Sequence, residues 1–342
     1  MKQKCIVINS LKHHLHNPSV ELYLQQMVPY AENKNRAINI FKEIKTLNDI
    51  TIKKPVRSPK NLLAEIHSKK YSDYLKKLSG LCIDADDYRT PYVIPAAQKS
   101  SKFFTSKIDN ISTYFMDVTT PVGQFTYEAA LHSADVAYSG AVQLLSGKRL
   151  AYSLCRPPGH HAETSRCGGY CYFNNASIAA HYLSKQCKVS LLDVDYHHGN
   201  GSQEIFYSRN DVQYVSLHAN PEYDYPYFAG FSDETGSGKG RGFNINIPLK
   251  KKTSQKEYMS ALCYALDKIK KFNPGFLVLS LGVDTYEIDP VGGFNLDKLF
   301  FIELGKTISE LNLPVLIIQE GGYNIADVGI LVKNVLTGFG IN

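Results

Sequence analysis

The chain has 342 residues, of which 44% are hydrophobic, enough to build the core of one large α/β domain or two small ones. It carries 38 Lys and Arg against 32 Asp and Glu, a formal net charge of +6 at pH 7. The basic residues are spread along the chain, and the densest runs, Lys53-Lys54 and Lys250-Lys251-Lys252, have no interleaved aromatic residues, so we expect no nucleic-acid partner.

Membrane and disulfide signals are also missing from the sequence. The apolar run Cys5–Ile8 is too short for a signal peptide, and no later stretch approaches the about 20 consecutive apolar residues of a membrane span. The seven cysteines are odd in number and form no Cys-x-x-Cys pair, which argues against a disulfide framework. We therefore expect a cytoplasmic protein with reduced thiols and no membrane partner.

Helix-like and strand-like patterns alternate along the first part of the chain. Residues 5–8 predict a strand, residues 29–47 a mostly helical stretch and residues 60–78 further helix. Residues 80–120 have weak periodicity with several Asp and Pro residues, which is typical of an insertion or extended loop. We expect this insertion at an active-site rim or a dimer contact. Residues 125–145 return to a helical pattern.

Short runs rich in Val, Ile and Leu recur through the second part, at residues 150–154, 189–194, 212–217, 276–281 and 315–318. Continuous apolar strands separated by helices indicate a parallel sheet that is covered on both faces. No linker or internal repeat divides the chain. We therefore predict a single α/β domain over residues 1–342.

The most specific motif follows the apolar strand at residues 189–192, which runs directly into Asp193, Asp195 and His197. Side chains two apart on an extended segment share a face, so these three can converge. Taken alone, an Asp-x-Asp after a strand is often a helix cap or a turn. Read as a site, Asp195 and His197 offer an oxygen and a nitrogen to a divalent ion, and Asp284 is the candidate third ligand.

Two further polar motifs follow predicted strands. Paired histidines occur twice, as His160-His161 after Arg-Pro-Pro-Gly and as His197-His198, and Tyr323 follows a Gly-Gly pair. In an open parallel sheet, ligands bind beyond the carboxyl ends of the strands. Because each motif follows such an end, the sequence predicts one catalytic metal site at this edge of the sheet.

Together these motifs resemble the histone deacetylase and acetylpolyamine amidohydrolase family, which are zinc-dependent amide hydrolases. Segments 168–175, 215–218, 236–240 and 320–323 match in the family's order. Asn at position 200 and the Arg-Pro-Pro-Gly run resemble the class II and polyamine branch more than class I. The resemblance implies an arginase-like fold with a central, mostly parallel sheet of about eight strands and helices on both faces.

The resemblance implies metal-assisted amide hydrolysis. Asp195, His197 and Asp284 would hold the ion, which we expect to be Zn²⁺, although a site without thiolate also suits Fe²⁺ or Co²⁺. His160 and His161 would act as general base and acid, and Tyr323 would donate a hydrogen bond to the oxyanion.

The same resemblance assigns partners to the two histidines. It puts Asp193 behind His160 and Asn200 behind His161. A carboxylate partner favours a protonated imidazole and an amide does not, so we expect His161 to be the base.

Substrate and cation sites also come from the resemblance. It makes Tyr170, which follows Gly169, and Tyr225 the facing walls of a narrow tunnel, and Asp117 matches a substrate-positioning aspartate. It further implies a bound monovalent cation, K⁺, held near the metal-binding strand by Asp193, Asp195, His197, Ser216 and Leu217.

The expected substrate is a small acetylated amine. Residues 220–230, His13-His14 and the central insertion resemble the acetylpolyamine branch, which implies acetylputrescine, acetylspermidine or acetylspermine and a homodimer whose insertion narrows the mouth. A polyamine needs anionic groups near that mouth. The candidates are Asp117, Asp84, Asp86, Asp87, Asp109 and Glu21.

Three other functions stay open. Acetyl-lysine in a protein is the main alternative substrate, and a catalytically silent binding module on the same fold is a distant one. Arginase-like ureohydrolysis would need additional Asp and His ligands for a second metal, and we do not find them in the sequence.

Overall fold

Ten strands form in the part of the chain described by a computed structural model, residues 4–23, 26–84, 86–91 and 114–342. They are β1 (Cys5–Ile8), β2 (Val20–Tyr23), β3 (Gln26–Pro29), β4 (Ile50–Lys53), β5 (Leu150–Ser153), β6 (Val189–Asp193), β7 (Val212–Ala219), β8 (Asn244–Leu249), β9 (Phe276–Leu281) and β10 (Val315–Gln319). Eight of them form one sheet in the order β4-β1-β5-β10-β9-β6-β7-β8, and every neighbouring pair is parallel. Strands β2 and β3 pair separately and antiparallel.

Helices cover both faces of this sheet. They are α1 (Asn35–Ile44), α2 (Lys69–Gly80), α3 (Thr126–Leu145), α4 (Asn175–Ser184), α5 (Asn200–Phe206), α6 (Gln255–Phe272), α7 (Phe300–Ser309) and α8 (Val328–Gly338). Leu192 packs in the core on the side of α1, α6, α7 and α8, whereas its neighbour Leu191 packs on the side of α3 and α4. Successive strand residues thus enter opposite cores, which is why these strands are apolar throughout.

The five strands predicted in the second part of the chain all form, within two residues of their expected ends. Strand β8 was not predicted, because Asn244 and Asn246 alternate with isoleucines and polar residues of this type are uncommon in strands. Both asparagines point inward, and each donates a hydrogen bond from Nδ2 to Gln203 Oε1, at 2.9 and 2.7 Å. Because the fold supplies a buried hydrogen-bond partner for both asparagines, they are tolerated in this strand.

The helices predicted at the N-terminal end are shorter than expected. Helix α1 covers only Asn35–Ile44 of the predicted 29–47, since residue 29 ends β3. Helix α2 begins after Ser68, whose hydroxyl accepts a hydrogen bond from the Tyr71 amide at 3.3 Å and caps the helix. Of the predicted insertion, residues 92–113 lie outside the described part of the chain.

The carboxyl ends of five adjacent strands, β5, β10, β9, β6 and β7, bring the sequence motifs to one edge of the sheet. Strand β5 leads to the His160-His161 pair, β6 to Asp195 and β9 to Asp284, while Tyr323 follows β10. The predicted convergence is therefore observed. Within the described residues, no helix is both long and apolar enough to cross a membrane.

Candidate active site

Three side chains at this edge form a compact cluster of possible metal ligands. Ligand atoms of Asp195, His197 and Asp284 all lie within 4.8 Å of one another, and all three residues are buried. His197 Nδ1 is 3.2 Å from Asp284 Oδ2 and 3.4 Å from Asp195 Oδ1. The main chain holds both carboxylates, since the His197 amide donates to Asp195 Oδ1 at 2.9 Å and the Tyr196 amide to Asp284 Oδ1 at 3.0 Å.

The electrostatics of this cluster suit a divalent cation. Burial, together with the neighbouring Asp195 carboxylate, raises the pKa of Asp284 to about 7. Against the effect of burial, the His160 and His197 imidazoles hold the pKa of Asp195 well below its usual range. Two buried carboxylates at this separation repel each other, and a divalent ion between them would relieve that repulsion. One imidazole nitrogen and two carboxylate oxygens are ligands that fit a catalytic zinc site with an open position.

The turn before Tyr323 requires glycine at two positions. A Cβ atom on Gly321 would lie 2.4 Å from Asp284 Oδ2 and 2.6 Å from Asp195 Oδ2, too close for any side chain. Gly322 has a φ of +116°, which residues with a side chain rarely adopt. The Gly321 amide also donates to Asp195 Oδ2 at 2.8 Å. The tight turn therefore brings Tyr323 directly beside the ligand cluster.

The two histidines of the pair have different hydrogen-bond partners. His160 Nδ1 is 3.1 Å from Asp193 Oδ2, and His161 Nδ1 is 2.9 Å from Asn200 Oδ1. Asn200 Nδ2 donates to Glu163 Oε1 at 2.9 Å, which orients the amide so that its oxygen faces His161. Both imidazoles therefore donate from Nδ1, and their Nε2 atoms remain for chemistry.

Burial and the surrounding charges separate the two histidines in basicity. Although burial opposes it, the carboxylates of Asp195 and Asp193 raise the pKa of His160 to about 10. Burial, with the nearby charge of His160, holds the pKa of His161 well below its usual range. These shifts favour a neutral imidazole at His161 and a protonated one at His160.

Two tyrosine rings flank the candidate catalytic groups. The Tyr225 ring lies edge-on to His161 at a centroid distance of 4.8 Å, and the Tyr170 ring lies 5.7 Å from the Tyr323 ring. Tyr170 is buried and packs in a small apolar cluster with Tyr30 and Tyr323, whereas Tyr225 is partly buried. The predicted tunnel residues therefore lie on two sides of the site.

Asp117 joins these two sides. Its Oδ2 accepts hydrogen bonds from the Gly169 amide at 2.6 Å and from the Tyr225 hydroxyl at 2.8 Å. Its Oδ1 accepts three more, from the Thr119 amide and hydroxyl and from the Thr120 hydroxyl. The carboxylate that was predicted to position substrate thus joins the segments that carry Tyr170 and Tyr225.

The structure also brings together the residues predicted to hold a monovalent cation. Asp193 on β6 and Ser216 on β7 are direct cross-strand neighbours, and Leu217 follows Ser216. All three are fully buried. Among the predicted anionic residues of the mouth, Asp87 accepts a hydrogen bond from the Ile83 amide in a surface turn, Asp109 lies outside the described residues, and Glu21 lies against Tyr170.

Comparison with known proteins identifies the family. The family model of the histone deacetylase domain matches residues 30–339. The chain belongs to this family. Acetylpolyamine amidohydrolase 2 of Pseudomonas aeruginosa is 37% identical over 98% of both chains, and the acetylpolyamine amidohydrolase of Mycoplana ramosa is 38% identical over 97% of this chain and 98% of its own. The crystal structure of the acetylpolyamine aminohydrolase from Burkholderia pseudomallei matches with a TM-score of 0.93 at 33% identity, over 98% of this chain and 99% of that one.

The predicted deacetylase fold and activity class are thereby confirmed. The chain is a deacetylase, and membership of the histone deacetylase family implies that it depends on a metal ion.

Arg36 is a buried residue of this deacetylase that sequence reasoning missed. Its Nε donates to the Gly322 carbonyl at 2.5 Å and its Nη2 to the Glu320 carbonyl at 2.6 Å, and its guanidinium lies 4.7 Å from the Tyr323 ring centre. Nη1 pairs with Glu32 at 2.7 Å. A signal was present, because Arg36 precedes Ile40 by four residues and Ile44 by eight, which puts it on the buried stripe of α1.

Proposed function

We propose that this deacetylase removes acetyl groups from acetylated polyamines, with Zn²⁺ held by Asp195, His197 and Asp284. The observation that carries the substrate class is Glu21, a carboxylate buried beside Tyr170. Glu21 Oε1 accepts hydrogen bonds from the Tyr170 hydroxyl at 3.2 Å and the Ala31 amide at 3.4 Å. Oε2 is buried and has no hydrogen-bond partner within the described residues. A buried carboxylate oxygen without a partner is costly, and an ammonium group of a bound polyamine would satisfy it.

The amide is cut by hydrolysis at the metal centre. Asp195, His197 and Asp284 would hold the divalent ion, which when bound would lower the pKa of a water molecule and polarise the substrate carbonyl. His161 Nε2 takes the proton as the new carbon–oxygen bond forms, and the neutral state of this imidazole suits that role.

Collapse of the tetrahedral state then breaks the carbon–nitrogen bond, and a proton passes from the histidine pair to the departing amine. Charged His160, beside Asp193, stabilises the negative charge that develops. The Tyr323 hydroxyl donates a hydrogen bond to the oxyanion.

We also propose that a potassium ion binds beside this centre. Its ligands would be oxygen atoms of Asp193, Asp195, His197, Ser216 and Leu217, several of them main-chain carbonyls. All five residues are buried, and Asp193 and Ser216 are cross-strand neighbours. Such an ion would help to keep Asp193 in place behind His160.

We also propose that the enzyme is a homodimer through the rim of the site. Exposed aromatic and apolar side chains cluster there, with Tyr23 and Met27 on the β2–β3 hairpin and Tyr227 and Phe228 after Tyr225. Partial burial raises the pKa of Tyr227 although most of its surface is exposed, and Asp224 and Tyr23 add to the shift, so the two segments lie within electrostatic range of each other. A second copy of the chain would cover this apolar surface.

The test is to compare kcat/KM of the zinc-loaded enzyme for acetylputrescine and acetylspermidine with kcat/KM for an acetyl-lysine peptide. We expect kcat/KM to be higher for the acetylated polyamines than for the peptide. Glu21→Gln should lower this preference about tenfold, since a charged hydrogen bond contributes roughly 1.5–3 kcal/mol. Exposed Glu222→Gln is the matched control for lost rim charge. A peptide preference in the unmodified enzyme would reassign it as a protein lysine deacetylase.

A further inference from the structure

Glu320 is a buried carboxylate that the mechanism above does not use. It directly follows β10, the strand between β5 and β9, and is fully buried. Oε2 accepts hydrogen bonds from the Gly159 amide at 2.7 Å and the His160 amide at 3.2 Å. Oε1 accepts one from the Ser280 hydroxyl at 3.3 Å. The side chain therefore connects the main chain of the histidine pair to the middle of the sheet.

The main chain of the same residue connects to the rest of the site. The Glu320 carbonyl accepts a hydrogen bond from Arg36 Nη2 at 2.6 Å, and the next amide, Gly321, donates to Asp195 Oδ2 at 2.8 Å. Tyr323 follows two residues later. The Glu320 side chain thus contacts the main chain of the histidine pair. Its backbone adjoins Gly321, which bonds to the proposed ligand Asp195, and leads to the proposed oxyanion donor Tyr323.

The opposite side of the Gly159 segment is tightly packed. A Cβ atom on Gly159 would lie 2.4 Å from the Asn175 amide nitrogen and 2.7 Å from the Phe173 carbonyl oxygen. Asn175 Nδ2 also donates to the Pro157 carbonyl at 3.0 Å. The segment is consequently held between the start of α4 on one side and the Glu320 carboxylate on the other.

Burial of the Glu320 carboxylate costs desolvation free energy. Among the described residues, its oxygens accept hydrogen bonds only from two amides and one hydroxyl, with no Lys or Arg side chain bonded to them. Burial raises the pKa of Glu320 to about 7, and nearby His160 opposes that shift. The desolvation cost of a buried ion is several kcal/mol, and proteins keep such departures from apolar packing mainly at functional sites.

We propose that Glu320 is a positioning residue for catalysis: through its two amide hydrogen bonds it fixes the backbone of Gly159 and His160, and so the reach of the His160 and His161 imidazoles. This inference rests on the proposed function, in which those imidazoles transfer protons. Displacement of a catalytic group by about 1 Å can cost on the order of 10²-fold in rate.

The experiment measures kcat, KM, bound metal and Tm for Glu320→Ala and Glu320→Gln. We expect Glu320→Ala to lower kcat about 10- to 100-fold, with KM within about twofold and metal content unchanged. Glu320→Gln should recover most of the rate, because its Oε1 can accept the two amide hydrogens while its Nε2 donates to Ser280. Should the alanine variant not fold, Glu320→Asp, which is one methylene shorter, is expected to lose rate where the glutamine variant keeps it.

A matched control is Asp135→Ala. Asp135 is also a buried carboxylate that accepts two hydrogen bonds from a loop, from the Ser58 amide at 2.8 Å and the Ser58 hydroxyl at 2.7 Å, but it lies on α3 away from the histidine pair. Its loss should lower Tm and leave kcat unchanged. A Glu320→Ala variant that behaves in the same way would overturn the proposal.

A double-mutant cycle with His161→Ala separates positioning from general stability. If Glu320 acts through the pair, Glu320→Ala lowers kcat little further once His161 is gone. Additive losses, loss of metal, or a glutamine variant no better than alanine would each contradict the proposal. Full activity in His161→Ala alone would instead refute the proposed proton transfer, independently of Glu320.

Discussion

At the residue scale, the site assigns different chemistry to two neighbouring imidazoles. His160 and His161 are adjacent in the chain and their ring centroids are only 4.0 Å apart. The partner on Nδ1 distinguishes them, a carboxylate for His160 and an amide for His161. Against the effect of burial, the Asp195 and Asp193 carboxylates raise the pKa of His160, whereas burial and the charge of His160 lower the pKa of His161, which favours one protonated and one neutral imidazole at the same pH.

Tyr323→Phe should separate metal binding from catalysis. Removing the phenol hydroxyl deletes an oxyanion donor, so we expect kcat to fall by about 10²–10³ with metal content unchanged. Asp195→Ala, which removes a ligand, should lose metal and activity together. Metal analysis beside kcat checks both, and normal turnover in Tyr323→Phe would rule out its assigned role.

Glu21 should make substrate binding depend on pH. Burial raises the pKa of Glu21 to about 7, so the carboxyl is charged above that pH and neutral below it. Only the charged form attracts an ammonium, so KM for an acetylated polyamine should rise about tenfold as pH falls from 8 to 6. Glu21→Gln should have a high KM that does not vary over this range. A flat profile in the unmodified enzyme would count against the subsite.

At the element scale, the site is built from the ends of neighbouring strands and supported by one helix. The sheet order places the ends of β5, β10, β9 and β6 side by side, although the motifs they carry are far apart in sequence. Helix α1 then reaches the turn after β10 through Arg36. A single helix residue thereby satisfies two carbonyls of the turn that carries Tyr323.

Replacement of Arg36 by Met should lower both the stability of the protein and its kcat. The change leaves the Glu320 and Gly322 carbonyls without their donor and removes one of the two guanidinium partners of Glu32, the other being Arg156 at 2.9 Å. Breaking a buried pair costs about 3–5 kcal/mol in the free energy of unfolding. Denaturant titration measures this loss. Exposed Lys42→Met, on the same helix, is the control and should change stability by less than about 0.5 kcal/mol; equal midpoints for both variants would contradict the assignment.

At the scale of the whole molecule, the proposed metal ligands follow two different strands, β6 and β9, so an ion bound between them would link separate parts of the fold. A ligand that binds only the folded state adds about 2.7 kcal/mol of stability at a concentration 100 times its Kd. We therefore expect chelation to lower Tm by several degrees and added zinc to restore it. The Tm of Asp195→Ala should not respond to chelator. An unchanged Tm after complete removal of metal from the unmodified enzyme would show that the ion does not stabilise the fold.

Much of the fold and the centre of the site could be predicted because their signals are local. The buried strands are continuous apolar runs, and Asp195, His197, His160 and Tyr323 follow those runs within a few residues. The strands at residues 150–154 and 276–281 were predicted without any knowledge of their partners. The less regular β4 and β8 were not, because their stability depends on pairing with β1 and β7.

The sequence by itself determined the parallel sheet, the candidate metal ligands and that a histidine pair offers imidazole chemistry beside them, since apolar patterning and residue type act over short stretches of chain. Only the tertiary structure decided which groups surround that chemistry. Glu320 meets an amide 160 positions earlier, and Arg36 meets a carbonyl 286 positions later. Against the effect of burial, the pKa of His160 is likewise raised by the carboxylates of Asp195 and Asp193, which are more than 30 residues away in sequence. Such contacts are set by how whole elements pack, and burial then multiplies the energy of each charge and hydrogen bond between them.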